Sequence, residues 1–260
     1  MGDSEKNHIY SDRYVAFVDI LGFSDIVRNS ERSPHQARAL VSVLERIRLR
    51  SLGGAVDDLF GVDFKVQSFS DTIVLSEKVT EAGLKYLLYA VADLTLDVLA
   101  QGILTRGGIA KGQMYHSEGV AFGPAFLSAY YLESTIAKYL RVVVDRSVHN
   151  DYRARDRGHW ETGEFNPRLM HDDDGPVYLD ILRKFRKLPE TGPDSQLLST
   201  GQSCRASIQN LLNESIYDPR HFEKLRWLAI YWNSVIMRQS PIDLLEPVDF
   251  PSMKNLDDSD

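Results

Sequence analysis

Residues 14–20, YVAFVDI, place the strongest constraint on this chain. The run is short and almost continuously apolar, so it reads as a buried strand. A carboxylate, Asp19, nevertheless sits inside it, and the turn-like LGFS of residues 21–24 breaks the run immediately afterwards. A second aspartate, Asp25, fits the start of a following helix.

The segments that follow alternate in character. Residues 34–50 carry Ala37, Leu40, Val41, Val43, Leu44 and Ile47 at helical spacing, and SLGG at 51–54 stops that helix. Residues 63–77 read as two short strands around a turn that contains Ser70 and Asp71. Residues 80–101 form an apolar helix with Thr80 as N-cap and Glu81 in its first turn. Residues 104–123 are strand-like and glycine-rich, which predicts a hairpin; residues 124–138 form a helix opened by Pro124; residues 141–145 form another buried strand. This order predicts an α/β sandwich with helices packed on a sheet, of which the split βαβ plan of ferredoxin type is one member. After residue 146 the chain turns polar and irregular, regains an apolar pattern at 177–188, and ends in two helices, 195–216 and 218–239. The expected organisation is a flexible N-terminus (1–11), a main domain (12–146), a C-terminal extension with a helical hairpin (147–245) and an acidic tail (246–260).

With 30 Lys and Arg against 37 Asp and Glu, the chain is a poor candidate for sequence-independent nucleic-acid binding, although a local basic pocket for one small polyphosphate stays open. The single cysteine, Cys204, forms neither an intramolecular disulfide nor a cysteine-rich zinc site, which fits a reducing, cytoplasmic setting. No signal-peptide pattern and no uncharged apolar run of about 18 residues is present, so no membrane segment is expected.

Asp19 lies in a strand and Asp71 in a hairpin turn; a sheet that pairs these strands brings the two carboxylates together. Oxygen ligands on a rigid edge suit Mg²⁺ or Mn²⁺, which keep coordination positions open for phosphates. The glycine-containing turn after Asp19 exposes backbone N–H groups that can cradle phosphate oxygens. A lone Asp at a strand end is ordinarily a cap or turn former; the combination of FVDILGFSD, SFSDTIVLS and TRGGIAKG points beyond that.

This combination resembles the class III nucleotidyl cyclase catalytic domain. Phe17, Asp19, Ile20, Gly22, Phe23 and Ser24 match its first motif, Ser70 and Asp71 its second, and Arg106, Gly108, Ile109 and Gly112 its third. The resemblance covers residues 12–146 and departs elsewhere. Gln67 stands at the family's base-selecting lysine, Val120 at its base-selecting aspartate, Leu127 at its helix asparagine and Tyr131 at its helix arginine. Retained metal residues beside a changed base pocket resemble the pyrimidine cyclases of Pycsar anti-phage defence systems, as does AYYLESTIAKYLRVVVD with Glu133, Lys138 and Arg141.

The resemblance implies attack of a ribose 3′-oxygen on the α-phosphorus with pyrophosphate leaving, assisted by two Mn²⁺ or Mg²⁺ ions. It assigns Asp19, Asp71 and the Ile20 carbonyl to the metals and the amides near Gly22 and Phe23 to phosphate. Gln67 and Tyr131 would face the nucleotide, with Phe69, Tyr115 and Tyr130 as further ring contacts. With Tyr131 at the arginine place, the cations for the transition state are Arg106, Lys111, Lys138 or Arg141, with Lys138 and Arg141 preferred. UTP, or CTP, is the implied substrate; cyclic UMP would be a second messenger acting on a separate effector protein. The implied assembly is a homodimer with sites at its interface. A purine cyclase and a catalytically silent nucleotide- or partner-binding module are the alternatives. HDDDG at 171–175 reads as a solvated acidic loop, and LRWLAIYWN as core packing or partner docking.

Overall fold

The computed structural model describes residues 9–32, 34–51, 63–117, 119–155, 167–186, 195–237 and 245–251 of the chain. The expectations for residues 1–8, for the helix stop at 52–54 and for the acidic tail from 252 onwards lie outside these.

The first strand, β1 (Ser11–Leu21), sits in the middle of the sheet and is buried along most of its length. Its alternation separates two cores. Tyr14, Ala16, Val18 and Ile20 enter the larger one, while Val15 and Phe17 enter a smaller one on the opposite face. A short helix α1 (Phe23–Asn29) and the longer α2 (Pro34–Ser51) follow. The hairpin β2 (Lys65–Phe69) and β3 (Thr72–Lys78) turns at Ser70 and Asp71, with Ser70 at a left-handed φ of 55°. Next come α3 (Glu81–Leu99) and the long β4 (Leu104–Ser117).

These elements form a βαββαβ unit. The strand order is β2-β3-β1-β4, and β1–β3, β2–β3 and β1–β4 all pair antiparallel. That is the ferredoxin-type plan, with β3 inserted between the two parallel strands that α2 connects. As the sequence predicts, Thr80 caps α3, its hydroxyl accepting the Gly83 N–H at 2.9 Å. The cap starts a helix that buries Leu84, Leu87, Leu88, Val91, Leu94 and Val98 completely or nearly so, each contributing about 1.5–3 kcal/mol.

Beyond β4 the chain adds β5 (Val120–Phe122), which pairs with the end of β4, and α4 (Pro124–Tyr131). The predicted helix over 124–138 is shorter than expected: it widens into a π-turn at Leu132–Ile136 and stops. The sheet then continues through β6 (Val142–Val144), parallel to β4. The stretch expected to be irregular holds a helix, α5 (Arg146–Arg155), and a three-residue strand, β7 (Leu169–His171), and the apolar segment expected at 177–188 opens with another, β8 (Val177–Leu179). They complete an eight-stranded sheet by the order β6-β8-β7, so the chain on both sides of residue 146 shares one sheet. The helical pair is α6 (Ser195–Glu214) and α7 (Pro219–Ile236), the latter capped by Asp218. Leu225, Leu228, Tyr231 and Trp232 are buried, which agrees with a packing role for LRWLAIYWN.

Candidate functional site

Alternation along β1 puts Asp19 on the same side as Val15 and Phe17, the face that α4 covers. In β4, Arg106 is the direct partner of Asp19 across the antiparallel pair. In β3, Thr72 is its partner on the other side, and Asp71 is the residue just before it. The Ile20 N–H donates to the Asp71 carbonyl at 2.8 Å, which ties the end of β1 to the hairpin turn. The two aspartates predicted from sequence are therefore brought together at one end of the sheet.

The face is closed by the π-turn. Gly108 makes this possible: a Cβ there would lie 2.3 Å from the Ala129 carbonyl oxygen and 2.9 Å from the Glu133 nitrogen. This close approach carries the Glu133 carboxylate inward to 3% residue exposure. Its Oε1 lies 2.5 Å from the Arg106 Nε, and the same Nε lies 3.5 Å from the Asp19 Oδ2. Neither the Arg106 Nε nor the Glu133 Oε1 is aligned for a hydrogen bond, but the guanidinium as a whole acts on Glu133 by charge and by hydrogen bonding. Burial pushes the Asp19 carboxyl above its ordinary range; Arg106 opposes this and the nearby Asp71 charge adds to it. Burial likewise raises Glu133, with Arg106 again opposing and Asp19 and Asp71 adding. One guanidinium thus lies between two carboxylates, Glu133 and Asp19.

Among the described residues, no group of three or more His, Cys, Asp or Glu side chains is arranged to hold a metal ion. Two carboxylates short of positive charge are nonetheless a donor set that fits a hard divalent cation, since Mg²⁺ commonly takes one or two carboxylates and fills the rest with water and phosphate.

The other predicted residues fall in different settings. Gly22 precedes α1 with φ 73° and open space where a side chain would be, and Phe23 begins the helix. Gln67 lies on β2, where its Nε2 donates to the Gly119 carbonyl at 3.2 Å while its buried Oε1 has no partner. Tyr131 is 56% exposed at the end of α4, beside exposed Leu127 and Tyr130. Tyr130 also packs edge-on against Phe17. Tyr115 packs on Phe122.

The candidate cations separate clearly. Lys111 is bound to Asp151 at 2.7 Å. Lys138 is exposed and close enough to Asp174 to lower its pKa, after the larger effect of Arg141. Arg141, a preferred catalytic cation at the outset, is 1% exposed and committed elsewhere. It binds Asp172 and, through two nitrogens, Asp174, and lies over the rings of Tyr139 and Trp227. The acidic loop of residues 171–175 is exposed at His171, Asp173, Asp174 and Gly175, as expected, and its Asp172 and Asp174 in addition clamp Arg141. Of the four, Arg106 is the one that reaches Asp19.

No family model and no curated protein matches the chain. Among solved structures, 59 chains match. They include a bacterial light-regulated adenylyl cyclase at 14% identity and TM-score 0.39, covering 76% of this chain and 58% of that one. The guanylyl cyclase Cya2 matches at 16% identity and TM-score 0.34, covering 65% of this chain and 90% of that one. A class III adenylyl cyclase-like ATP-binding protein from Pseudomonas aeruginosa matches at 11% identity and TM-score 0.35, with 55% and 35% covered. The chain spans 58% of the length of the light-regulated cyclase. At these scores the overlaps carry no argument about activity, which has to rest on the residues themselves.

Glu133 is the site residue that the sequence did not assign. Its only signal was its place in the run AYYLESTIAK; nothing local marks the π-turn that rotates it inward.

Proposed function

We propose that the chain is a metal-dependent nucleotidyl cyclase acting on a pyrimidine nucleoside triphosphate, UTP before CTP, with cyclic UMP as a second messenger in anti-phage defence. The observation that carries the reading is the meeting of Asp19 and Asp71 at one sheet end, with Gly22 and the start of α1 directly beyond. Mg²⁺ or Mn²⁺ bound there would lower the pKa of a ribose 3′-hydroxyl and neutralise the triphosphate.

The chain's own residues then have separate tasks. Asp19, Asp71 and the Ile20 carbonyl hold the cations. The backbone amides near Gly22 and Phe23, at the start of α1, face the phosphates. Arg106 supplies the positive charge for the α-phosphate, a role that Arg141 cannot fill while clamped by Asp172 and Asp174. Exposed Lys138 is a second cation for the phosphates. Gln67, whose Oε1 is buried without a partner, reads the base edge. The outward-facing Leu127, Tyr130 and Tyr131 support a homodimer in which α4 of one copy lies near the site of the other. Among the described residues no helix is long and apolar enough to cross a membrane; a cytoplasmic enzyme whose product acts on a separate effector completes the proposal.

Incubation with each of four labelled nucleoside triphosphates and Mn²⁺ tests the reading. Cyclic UMP or cyclic CMP supports it, cyclic AMP or GMP replaces it with a purine cyclase, and no product at high enzyme concentration leaves only the silent binding module.

A further inference from the structure

We propose that Glu133 is a positioning residue that draws the Arg106 guanidinium off Asp19, so that Asp19 is free to take a divalent cation. The inference rests on the metal-site reading above and adds a control element to it.

The geometry is a competition for one cation. Arg106 and Asp19 are direct partners across β4 and β1, so the backbone alone would leave them paired. Such a pair would fill the place a metal needs. Instead the Arg106 Nε sits 2.5 Å from Glu133 and 3.5 Å from Asp19. Coulomb attraction scales inversely with distance, so Glu133 holds the larger share of the guanidinium. Glu133 is buried and fixed by the π-turn packed against Gly108, whereas the Arg106 side chain keeps 26% of its exposure. The carboxylate is thus the anchored partner and the guanidinium the movable one. A π-turn in place of a helical continuation brings Glu133 onto this face, and such insertions are frequent at functional sites.

A purely structural Glu133 would neutralise Arg106 and do nothing else. The two roles differ in metal affinity, which is measured without turnover. The full chain and its variants are titrated with Mn²⁺ alone, by calorimetry and by loss of the free Mn²⁺ electron paramagnetic resonance signal. Circular dichroism melts confirm that each variant is folded. In Glu133→Gln, Arg106 falls back on Asp19, and Mn²⁺ affinity drops about tenfold or more. In Glu133→Gln with Arg106→Gln, the competitor is gone and affinity returns to within about threefold of wild type. Should Glu133→Gln fail to fold, Glu133→Asp, which retracts the carboxylate while keeping its charge, gives a smaller drop that Arg106→Gln again reverses. Equal Mn²⁺ affinity in wild type and a folded Glu133 variant overturns the positioning role while leaving the metal site standing. A drop that Arg106→Gln does not reverse overturns it equally. If wild type binds no Mn²⁺, or binds it as well as Asp19→Asn does, the metal-site reading itself fails and the inference goes with it.

Discussion

Gly108 links the fold to the site, and adding one methyl there tests that link. In Gly108→Ala the new Cβ would meet the Ala129 carbonyl oxygen at 2.3 Å, the Leu132 Cβ at 2.5 Å and the Glu133 nitrogen at 2.9 Å. Two of the three are backbone atoms, so no rotamer change relieves the clash. Ordinary contact begins near 3.4 Å; the end of α4 and the π-turn therefore have to retreat by roughly 1 Å. Overpacking of this kind costs about 1–3 kcal/mol, offset by only about 0.4–1 kcal/mol from the stiffer unfolded chain. The net expectation is a loss of about 1–2 kcal/mol in urea unfolding. The same retreat withdraws Glu133 from Arg106, and a misplacement of about 1 Å is enough to cost on the order of 10²-fold in rate. Equilibrium unfolding and turnover of the best nucleotide, measured on the same preparation, check both parts. A Gly108→Ala protein with wild-type midpoint and wild-type turnover would refute the packing argument.

Three further outcomes follow from the same structure. Arg141→Ala takes the guanidinium from Asp172, which keeps the Trp227 N–H, and from the exposed Asp174, and is expected to cost about 1–3 kcal/mol; urea unfolding measures it, and an unchanged midpoint would show that the clamp is not needed. His116 is held neutral at a pKa of about 4, first by burial and then by Arg13; Ser76 accepts from Arg13 at 2.7 Å and shares a second 2.7 Å hydrogen bond with the His116 Nδ1. Because the folded pKa lies below the ordinary 6.5, this stabilisation is complete above pH 6.5 and is lost as pH falls toward 4, by up to about 3 kcal/mol; His116→Leu should flatten that part of the stability profile. Asp19 has the opposite sign: its raised pKa makes its ionisation cost stability as pH rises through that pKa. Asp19→Asn should therefore melt higher than wild type at pH 7 while losing Mn²⁺ binding, and a lower melting temperature would contradict the account.

What the sequence revealed and what it hid have physical reasons. The strand at 14–20, the turn at Ser70–Asp71 and the Thr80 cap were legible because each is set by local chemistry: an apolar run, turn-forming residues and a side-chain hydrogen bond to a helix N-terminus. The alternation of those segments pointed to an α/β sandwich, of which the ferredoxin-type order is one member. The strands β7 and β8 were not legible, since three residues are too few to show a period of two. Arg141 was misjudged because its partners, Asp172 and Asp174, lie some thirty residues away and the acidic loop carries no local sign of its cation. Glu133 was hidden for a related reason. The helical pattern of residues 124–138 runs on through it, and only the glycine at 108, on another strand, permits the approach that buries it.

The central claim is that Asp19 and Asp71 form the metal centre of a nucleotide cyclase, and one measurement addresses it directly. Wild type, Asp19→Asn and Asp71→Asn are given UTP and Mn²⁺ side by side, and cyclic UMP and pyrophosphate are quantified. The account predicts equal amounts of both products from wild type and none from either variant. Undiminished product from a variant, or none from wild type, would contradict it.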